Sequence, residues 1–328
     1  MMERRYIEFT TPESAEVVDD TVGAPGDDDV IISVHHAGIN RADLLQRMGL
    51  YPPPEDASPV PGLEVSGTVA ALGKNVSGFA IGDRICALTH GGGYASLAIA
   101  RADHCLPLPD SMTTEQGAAL PEALLTVWYN VFERGRLASG ETVLIHGGSS
   151  GIGSIGIQMA RTMGAIALST AGSSTRCAAA AKLGAQYVAN HREPDLLGQF
   201  SEAGYAGNID VILDIAGGDL MQTNLDLAAQ DGRIVCIGVM RGMQSEINLA
   251  TVFMKRLTLT GSTLRRLETA ERARCFQSIR EHIWPAIING SITPIVDASY
   301  PLQKVLEAHQ HMQSGRHFGK LVLDCRLI

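Results

Sequence analysis

A strand-like run, Thr142-Val143-Leu144-Ile145-His146, leads straight into Gly147-Gly148-Ser149-Ser150-Gly151-Ile152-Gly153. Ile152, Gly156, Met159 and Met163 then recur at the spacing of one helical face. Only glycine lets backbone N–H groups approach a pyrophosphate closely, and a helix N-terminus adds unpaired donors and the positive end of its dipole. Gly156 leaves room for the helix to lie on a sheet, Gly164 stands at the helix stop, and Ile166-Ala167-Leu168-Ser169-Thr170 is a second strand directly behind. A glycine string alone is also compatible with a tight turn that binds nothing; strand, turn, helix and strand in this order favour a dinucleotide site. The cofactor-binding positions expected in the turn are Gly148, Ser150, Gly151 and Ile152.

The second strand ends in Ala171-Gly172-Ser173-Ser174-Thr175-Arg176. NAD-selective sites place Asp or Glu here to bind the ribose 2′-hydroxyl. Small hydroxyl residues and Arg176 stand there instead, a combination that accepts a 2′-phosphate and leaves an NAD ribose without its acidic partner. NADPH is therefore the expected cofactor, with Gly172, Ser173 and Arg176 at its adenosine ribose.

These segments need a large, well-packed scaffold, and the composition provides one. The chain has 328 residues, 45% hydrophobic and 19% charged, which fits two domains of common size with no low-complexity character. Its net charge of −9 disfavours a phosphate backbone, so nucleic acid is not an expected partner. The start, MMERRYIEF, lacks an apolar secretory core. Thr142 to Ala160 is uncharged but too rich in glycine for a membrane span, so no membrane association is expected. Six scattered cysteines with no CxxC pair suit reduced, buried thiols in a cytoplasm.

The first 120 or so residues read as short strands separated by Pro and Gly: Val30 to Ala37, Val65 to Leu72, Arg84 to Leu88 and Tyr94 to Ile99. From Glu141 apolar runs alternate with helix-period segments, as a parallel sheet with crossover helices requires. Its expected strands are Thr142 to His146, Ile166 to Thr170, Asp210 to Ile215 and Arg233 to Ile237. After Gly261 the pattern predicts helices over Glu268 to Asn289 and Lys304 to Gln313, and a last strand over Lys320 to Leu323.

Gly62-Leu63-Glu64-Val65-Ser66-Gly67, followed by Gly73, Val76 and Gly82-Asp83-Arg84, resembles the catalytic-domain motif of medium-chain dehydrogenases. Asn40-Arg41-Ala42-Asp43-Leu44-Leu45-Gln46-Arg47, Gly49-Leu50-Tyr51-Pro52-Pro53-Pro54, Pro121-Glu122-Ala123 with Thr126, Ser149 to Gly153 with Gln158, and Phe318-Gly319-Lys320 are similar to the zinc-less quinone oxidoreductases. The similarity is greatest to the branch of tumour-suppressor-inducible NADPH:quinone oxidoreductases and spans nearly the whole chain. It implies an α/β protein with a GroES-like β-rich catalytic domain, residues 1–124 and 264–328, interrupted by a doubly wound Rossmann domain, residues 125–263, with the active site in the cleft between them. It also implies a homodimer joined along the Rossmann sheet edges, for which the uncharged segment Leu257 to Ser262 is the candidate strand.

In the zinc alcohol dehydrogenases a histidine ligand takes the place of Leu63, and a second ligand, usually cysteine, stands near Asn40. No metal is expected at either place. The resemblance extends the cofactor site to Asn40, Thr126, Gly238, Met240 and Lys320, and it places His191, of Asn190-His191-Arg192, where the family often has tyrosine. Without zinc the substrate must already accept hydride well, as quinones do. Asn40 and Tyr51 are the side chains expected to line the catalytic cleft. An enone or enoyl-thioester reductase on the same scaffold, or a non-catalytic crystallin-like or RNA-binding role, stays open at this level.

Overall fold

A computed structural model describes residues 1–326. By internal contacts the chain forms two compact units. The first comprises Met1–Ala123, Arg265–Arg280 and residues 294–326; the second comprises Leu124–Leu264 and Glu281–Thr293. Residues 281–293, assigned from the sequence to the catalytic domain, thus pack with the second unit, and the last two positions of the expected 264–328 segment lie outside the described residues.

The first unit is a seven-stranded sheet plus an N-terminal hairpin, Met2–Thr11 with Ser14–Val22. Its central strand, Asp29–Gly38, pairs antiparallel with Glu64–Leu72, Leu97–Arg101 and the C-terminal Lys320–Asp324. Val30, Ile32, Val34, Ile85, Ala87, Leu321 and Leu323 are among the side chains of one buried cluster, so the end of the chain is part of the same core as its beginning. The strand expected over Tyr94 to Ile99 is observed at Leu97–Arg101, because Tyr94 is held between a loop and the hairpin: its N–H bonds the Pro61 carbonyl at 2.9 Å and its carbonyl accepts from Ile7 N, on the strand Met2–Thr11, at 2.9 Å. The expected helix over 268–289 is two helices, Thr269–His282 and Trp284–Ile288, since Pro285 has no N–H to continue the first.

The second unit holds six parallel strands, β1 (Thr142–Ile145), β2 (Ile166–Ala171), β3 (Tyr187–Asn190), β4 (Ile209–Asp214), β5 (Ala228–Cys236) and β6 (Thr258–Gly261). Their order is β3-β2-β1-β4-β5-β6, with every adjacent pair parallel. Helices α1 (Gly151–Thr162), α2 (Ser174–Lys182), α3 (Leu196–Glu202), α4 (Leu220–Leu227) and α5 (Leu249–Lys255) make the connections. Both faces of a parallel sheet are covered, so β1 and β4 carry continuous apolar runs rather than alternating, as Val143, Leu144, Ile145, Val211, Ile212 and Leu213 show by their complete burial. The strand order reverses between β1 and β4, and ligands of such sheets bind outside the carboxyl ends of the strands at that switch point.

Candidate functional site

At the switch point the chain turns from β1 into α1. Gly147 has φ 75°, a conformation that costs other residues, and a Cβ at Gly153 would lie 2.2 Å from the Gly147 carbonyl oxygen. A Cβ at Gly148 would lie 2.3 Å from Ser169 Oγ. The turn is therefore too close to its neighbours for side chains, and its backbone is what remains to face a ligand. Ser150 caps α1, its Oγ accepting from Gly153 N at 3.0 Å, while Gly151 and Ile152 open the helix. The cradle fits a pyrophosphate: backbone donors, a capped 12-residue helix and no acidic side chain in the first turn.

At the end of β2, Ser173 caps α2 by accepting from Arg176 N at 3.3 Å. Gly172 is crowded from the end of β3: a Cβ there would lie 3.2 Å from His191 Nε2 and 3.3 Å from Arg192 Nε. Desolvation of the ring, then His146 and the guanidiniums of Arg192, Arg241 and Arg176, hold the His191 pKa below its ordinary value. The Arg176 and Arg192 guanidiniums bring positive charge to this corner. The sequence reading named Arg176 and His191 here but missed Arg192, although it stands beside His191 in the same tripeptide after β3.

A third wall is the loop after β5. Gly238 sits so close to Ile215 that a Cβ would lie 2.5 Å from the Ile215 carbonyl oxygen, and Arg241 N donates to the Ala216 carbonyl at 2.8 Å. Met240, in this loop, is exposed. Thr126 is buried; its carbonyl accepts from Asn130 Nδ2 at 2.9 Å where the helix Pro121–Val127 passes into a π-helical turn, Trp128–Arg134.

In the first unit the structure joins Asn40 and Lys320 through a residue that sequence reasoning quoted only as part of a motif. Glu64 is fully buried; its Oε1 accepts from Asn40 Nδ2 at 2.9 Å and from Lys320 Nζ at 2.5 Å, and its Oε2 accepts from Glu122 N at 2.9 Å. Lys320 Nζ also donates to Asn40 Oδ1 at 2.5 Å. Burial opposes the ammonium, but Glu64, Glu122 and Asp43 outweigh it and raise the Lys320 pKa. Asp43 closes the cluster, accepting from Asn40 N at 2.8 Å, Gly62 N at 3.2 Å and the Tyr94 hydroxyl at 3.1 Å; burial pushes its pKa up to about 6. Tyr51 stands apart from these groups: the Arg265 guanidinium lies 4.6 Å over its ring and donates to its carbonyl at 2.8 Å, contacts that do not use the hydroxyl.

The donor set does not fit zinc. Leu63 offers no ligand atom, and both ends of the Asn40 amide are engaged by Glu64 and Lys320. Among the described residues no three His, Cys, Asp or Glu side chains gather where they could hold a metal ion.

A doubly wound sheet with a glycine cradle at its switch point, in a chain that also carries a separate β-rich unit, defines the medium-chain dehydrogenase/reductase class. Residues 26–110 match the family profile described as alcohol dehydrogenase GroES-like domain, and residues 151–279 match that described as zinc-binding dehydrogenase. The chain is 32% identical to the quinone oxidoreductase of Rattus norvegicus over 97% of its length and 96% of that protein. Its structure is similar to that of a Pseudomonas syringae quinone oxidoreductase, with a TM-score of 0.85, 29% identity and coverage of 98% and 100% of the two chains. An Escherichia coli quinone oxidoreductase complexed with NADPH is similar at a TM-score of 0.82 and 28% identity, over 98% of this chain and 99% of that one. The chain belongs to the quinone oxidoreductase family of the medium-chain dehydrogenase/reductase superfamily. Among the described residues no helix is long and apolar enough to cross a membrane.

Proposed function

We propose that the protein is an NADPH-dependent, zinc-independent oxidoreductase that transfers hydride to quinones. The observation that carries the reading is the corner at the ends of β2 and β3, where His191 and Arg192 close on Gly172, Arg176 stands in the first turn of α2 and no carboxylate stands at the end of β2. Gly148, Ser150, Gly151 and Ile152 would hold the pyrophosphate, Ser173, Arg176, His191 and Arg192 the 2′-phosphate, and Thr126, Gly238 and Met240 the rest of the dinucleotide. NADPH, when bound, supplies the hydride. The chain's own task is to bind, orient and protonate: the Tyr51 hydroxyl and the remaining Nδ2 proton of Asn40 are the donors assigned to the acceptor oxygen. Lys320 acts through Asn40 by holding its amide oxygen, while Glu64 accepts from its nitrogen.

The test is NADPH oxidation against a panel of quinones, enones and enoyl thioesters, in chelator-treated protein. Quinones should be turned over best and NADPH preferred to NADH; preference for an enoyl thioester, or loss of turnover with the metal, overturns the assignment. A hydrogen bond to a charged group contributes about 1.5–3 kcal/mol, so Arg176→Ala and Arg192→Ala should each weaken kcat/KM for NADPH by about 10- to 100-fold and leave NADH nearly unchanged.

A second copy of the chain is the proposed partner. β6 is the last strand of its sheet, and Leu259 on it and Leu249, Phe253 and Met254 on α5 are exposed apolar side chains beside that free edge. Sedimentation should report a dimer, and Leu259→Lys should yield a monomer; a wild-type monomer with full activity rejects it. None of the six cysteines is joined in a disulfide, which suits a reducing cytoplasm.

A further inference from the structure

Beneath the glycine cradle, the carboxyl ends of β1, β2 and β4 and the middle of α4 share one buried chain of hydrogen bonds. Its direction follows atom by atom. Asp214 Oδ1 accepts from Ala216 N at 2.7 Å and Gly217 N at 3.0 Å, and its Oδ2 accepts from Asn224 Nδ2 at 3.1 Å. With its nitrogen turned to the carboxylate, Asn224 presents its oxygen to His146 Nε2 at 2.8 Å, and that nitrogen must carry the proton. A neutral imidazole so protonated has a bare Nδ1, which accepts from the Thr170 hydroxyl at 3.2 Å. Thr170 Oγ accepts in turn from Gly147 N at 3.2 Å, the first amide of the cradle. His146, Thr170, Asn224 and Asp214 are all buried, and each named side chain both gives and receives, or only receives at the carboxylate end, so no polar atom of the wire depends on solvent.

The two ends of the wire are two walls of the site. One is Gly147. The other is the loop 216–218, which holds the strand-end loop of Gly238 and Met240 through the bond from Arg241 N to the Ala216 carbonyl at 2.8 Å and a bridge between Gly217 and Gly242. We propose that His146 is a positioning residue which, as the neutral Nε2–H tautomer, sets the pyrophosphate cradle and the loop 214–218 as one unit for dinucleotide binding. The inference rests on the reading of this site as a nicotinamide dinucleotide site. Its consequence differs from that of the arginines: the cradle serves the part common to NADPH and NADH, so breaking the wire weakens both by the same factor.

The experiment combines binding and nitrogen-15 NMR of histidine-labelled whole protein. Thr170→Val is nearly isosteric and removes the hydroxyl alone; the Kd of NADPH and that of NADH should both rise on the order of tenfold, and Thr170→Ser should restore both to within about twofold of wild type. In the wild type, Nε2 of His146 should be protonated and Nδ1 bare, and saturation with NADP+ should shift both resonances. A folded Thr170→Val protein with unchanged Kd values, or one in which only NADPH is weakened, overturns the proposal. Should that variant fail to fold, a protonated Nδ1 in the wild type, or resonances indifferent to NADP+, overturns it equally. Wild-type protein that binds neither nucleotide overturns instead the reading beneath it.

Discussion

Each unit buries a polar network, and the two are built on different principles. The first unit's network is ionic: Lys320 against Glu64, with Asn40 spanning both and Asp43 beside them. The second unit's network is a relay of neutral side chains, Thr170, His146 and Asn224, that ends on one carboxylate held by two backbone amides. A neutral relay can lose a member at the cost of one unpaired atom, whereas an ionic cluster that loses one partner keeps an uncompensated buried charge. The ionic cluster also joins positions 280 residues apart in sequence, Asn40 and Lys320, so it fastens the C-terminal strand to the sheet. The relay joins positions that the sheet already brings together, and it can serve orientation more than cohesion.

The sharpest way to break this contrast is at Lys320. Lys320→Met leaves Glu64 buried without its cation and should destabilise the protein by about 3–5 kcal/mol in urea unfolding. Adding Glu64→Gln should recover part of that loss, because a neutral amide removes the uncompensated charge while still able to pair with Asn40 and with Glu122 N. If the single variant loses less than the Thr170→Val protein does, the ionic cluster is not what distinguishes the first unit.

A second, smaller effect is one of pH, and within the first unit two buried groups pull it in opposite directions. His309 is fully buried in the first unit, its Nε2 3.1 Å from the Tyr94 hydroxyl, and burial followed by the charge of Arg47 pushes its pKa down to about 3. The unfolded chain binds a proton near pH 6.5 that the folded site refuses, so its contribution is present above pH 6.5 and is lost as the pH falls toward 3. Asp43 works in the opposite sense. Its folded pKa of about 6 lies above the unfolded value, so the native state takes up a proton first and gains stability as the pH falls through 6 toward 4. His309→Phe should therefore shrink the loss of stability between pH 7 and pH 5 by about 2 kcal/mol, whatever it does to stability at pH 7. An unchanged slope in urea melts at the two pH values would show that His309 already carries its proton in the folded state.

The sequence made the two architectures legible to different depths. In the second unit the informative features are local: an apolar run, a glycine turn and a helical face fall within the stretch from Thr142 to Met163, and the observed strand, cap and helix fall where that spacing put them. The first unit depends on pairings distant in sequence, and these leave little local trace. The hairpin Met2–Thr11 and Ser14–Val22 was not predicted because its exposed positions carry charge on both strands, such as Arg5 opposite Asp19, and only Ile7 and Val22 are buried. Glu64 could be quoted as part of a motif, yet nothing in its neighbours says that its partner is Lys320. His146, Asn224 and Asp214 were missed for a related reason. A polar residue at the end of an apolar strand is a visible signal, as at His146, Thr170 and Asp214, but these join Asn224 of α4 in one network only when the strand order places β1 between β2 and β4.

The smallest effect concerns Ser150, and it decides whether that residue belongs to the scaffold or to the ligand. Its Oγ is already engaged as the cap of α1, accepting from Gly153 N at 3.0 Å, so the structure gives it a role before any dinucleotide arrives. Loss of such a cap costs about 1 kcal/mol, which Ser150→Ala should show as a modest fall in the urea midpoint. Aspartate caps a helix as well as serine does, but it sets a negative charge where the pyrophosphate would bind. Ser150→Asp should therefore keep wild-type stability and yet weaken NADPH and NADH alike by about 10-fold or more. Ser150→Ala that unfolds at the wild-type midpoint but binds both nucleotides worse would assign the hydroxyl to the ligand. Ser150→Asp that binds both as well as wild type would move the pyrophosphate away from this helix and, with it, from the relay beneath.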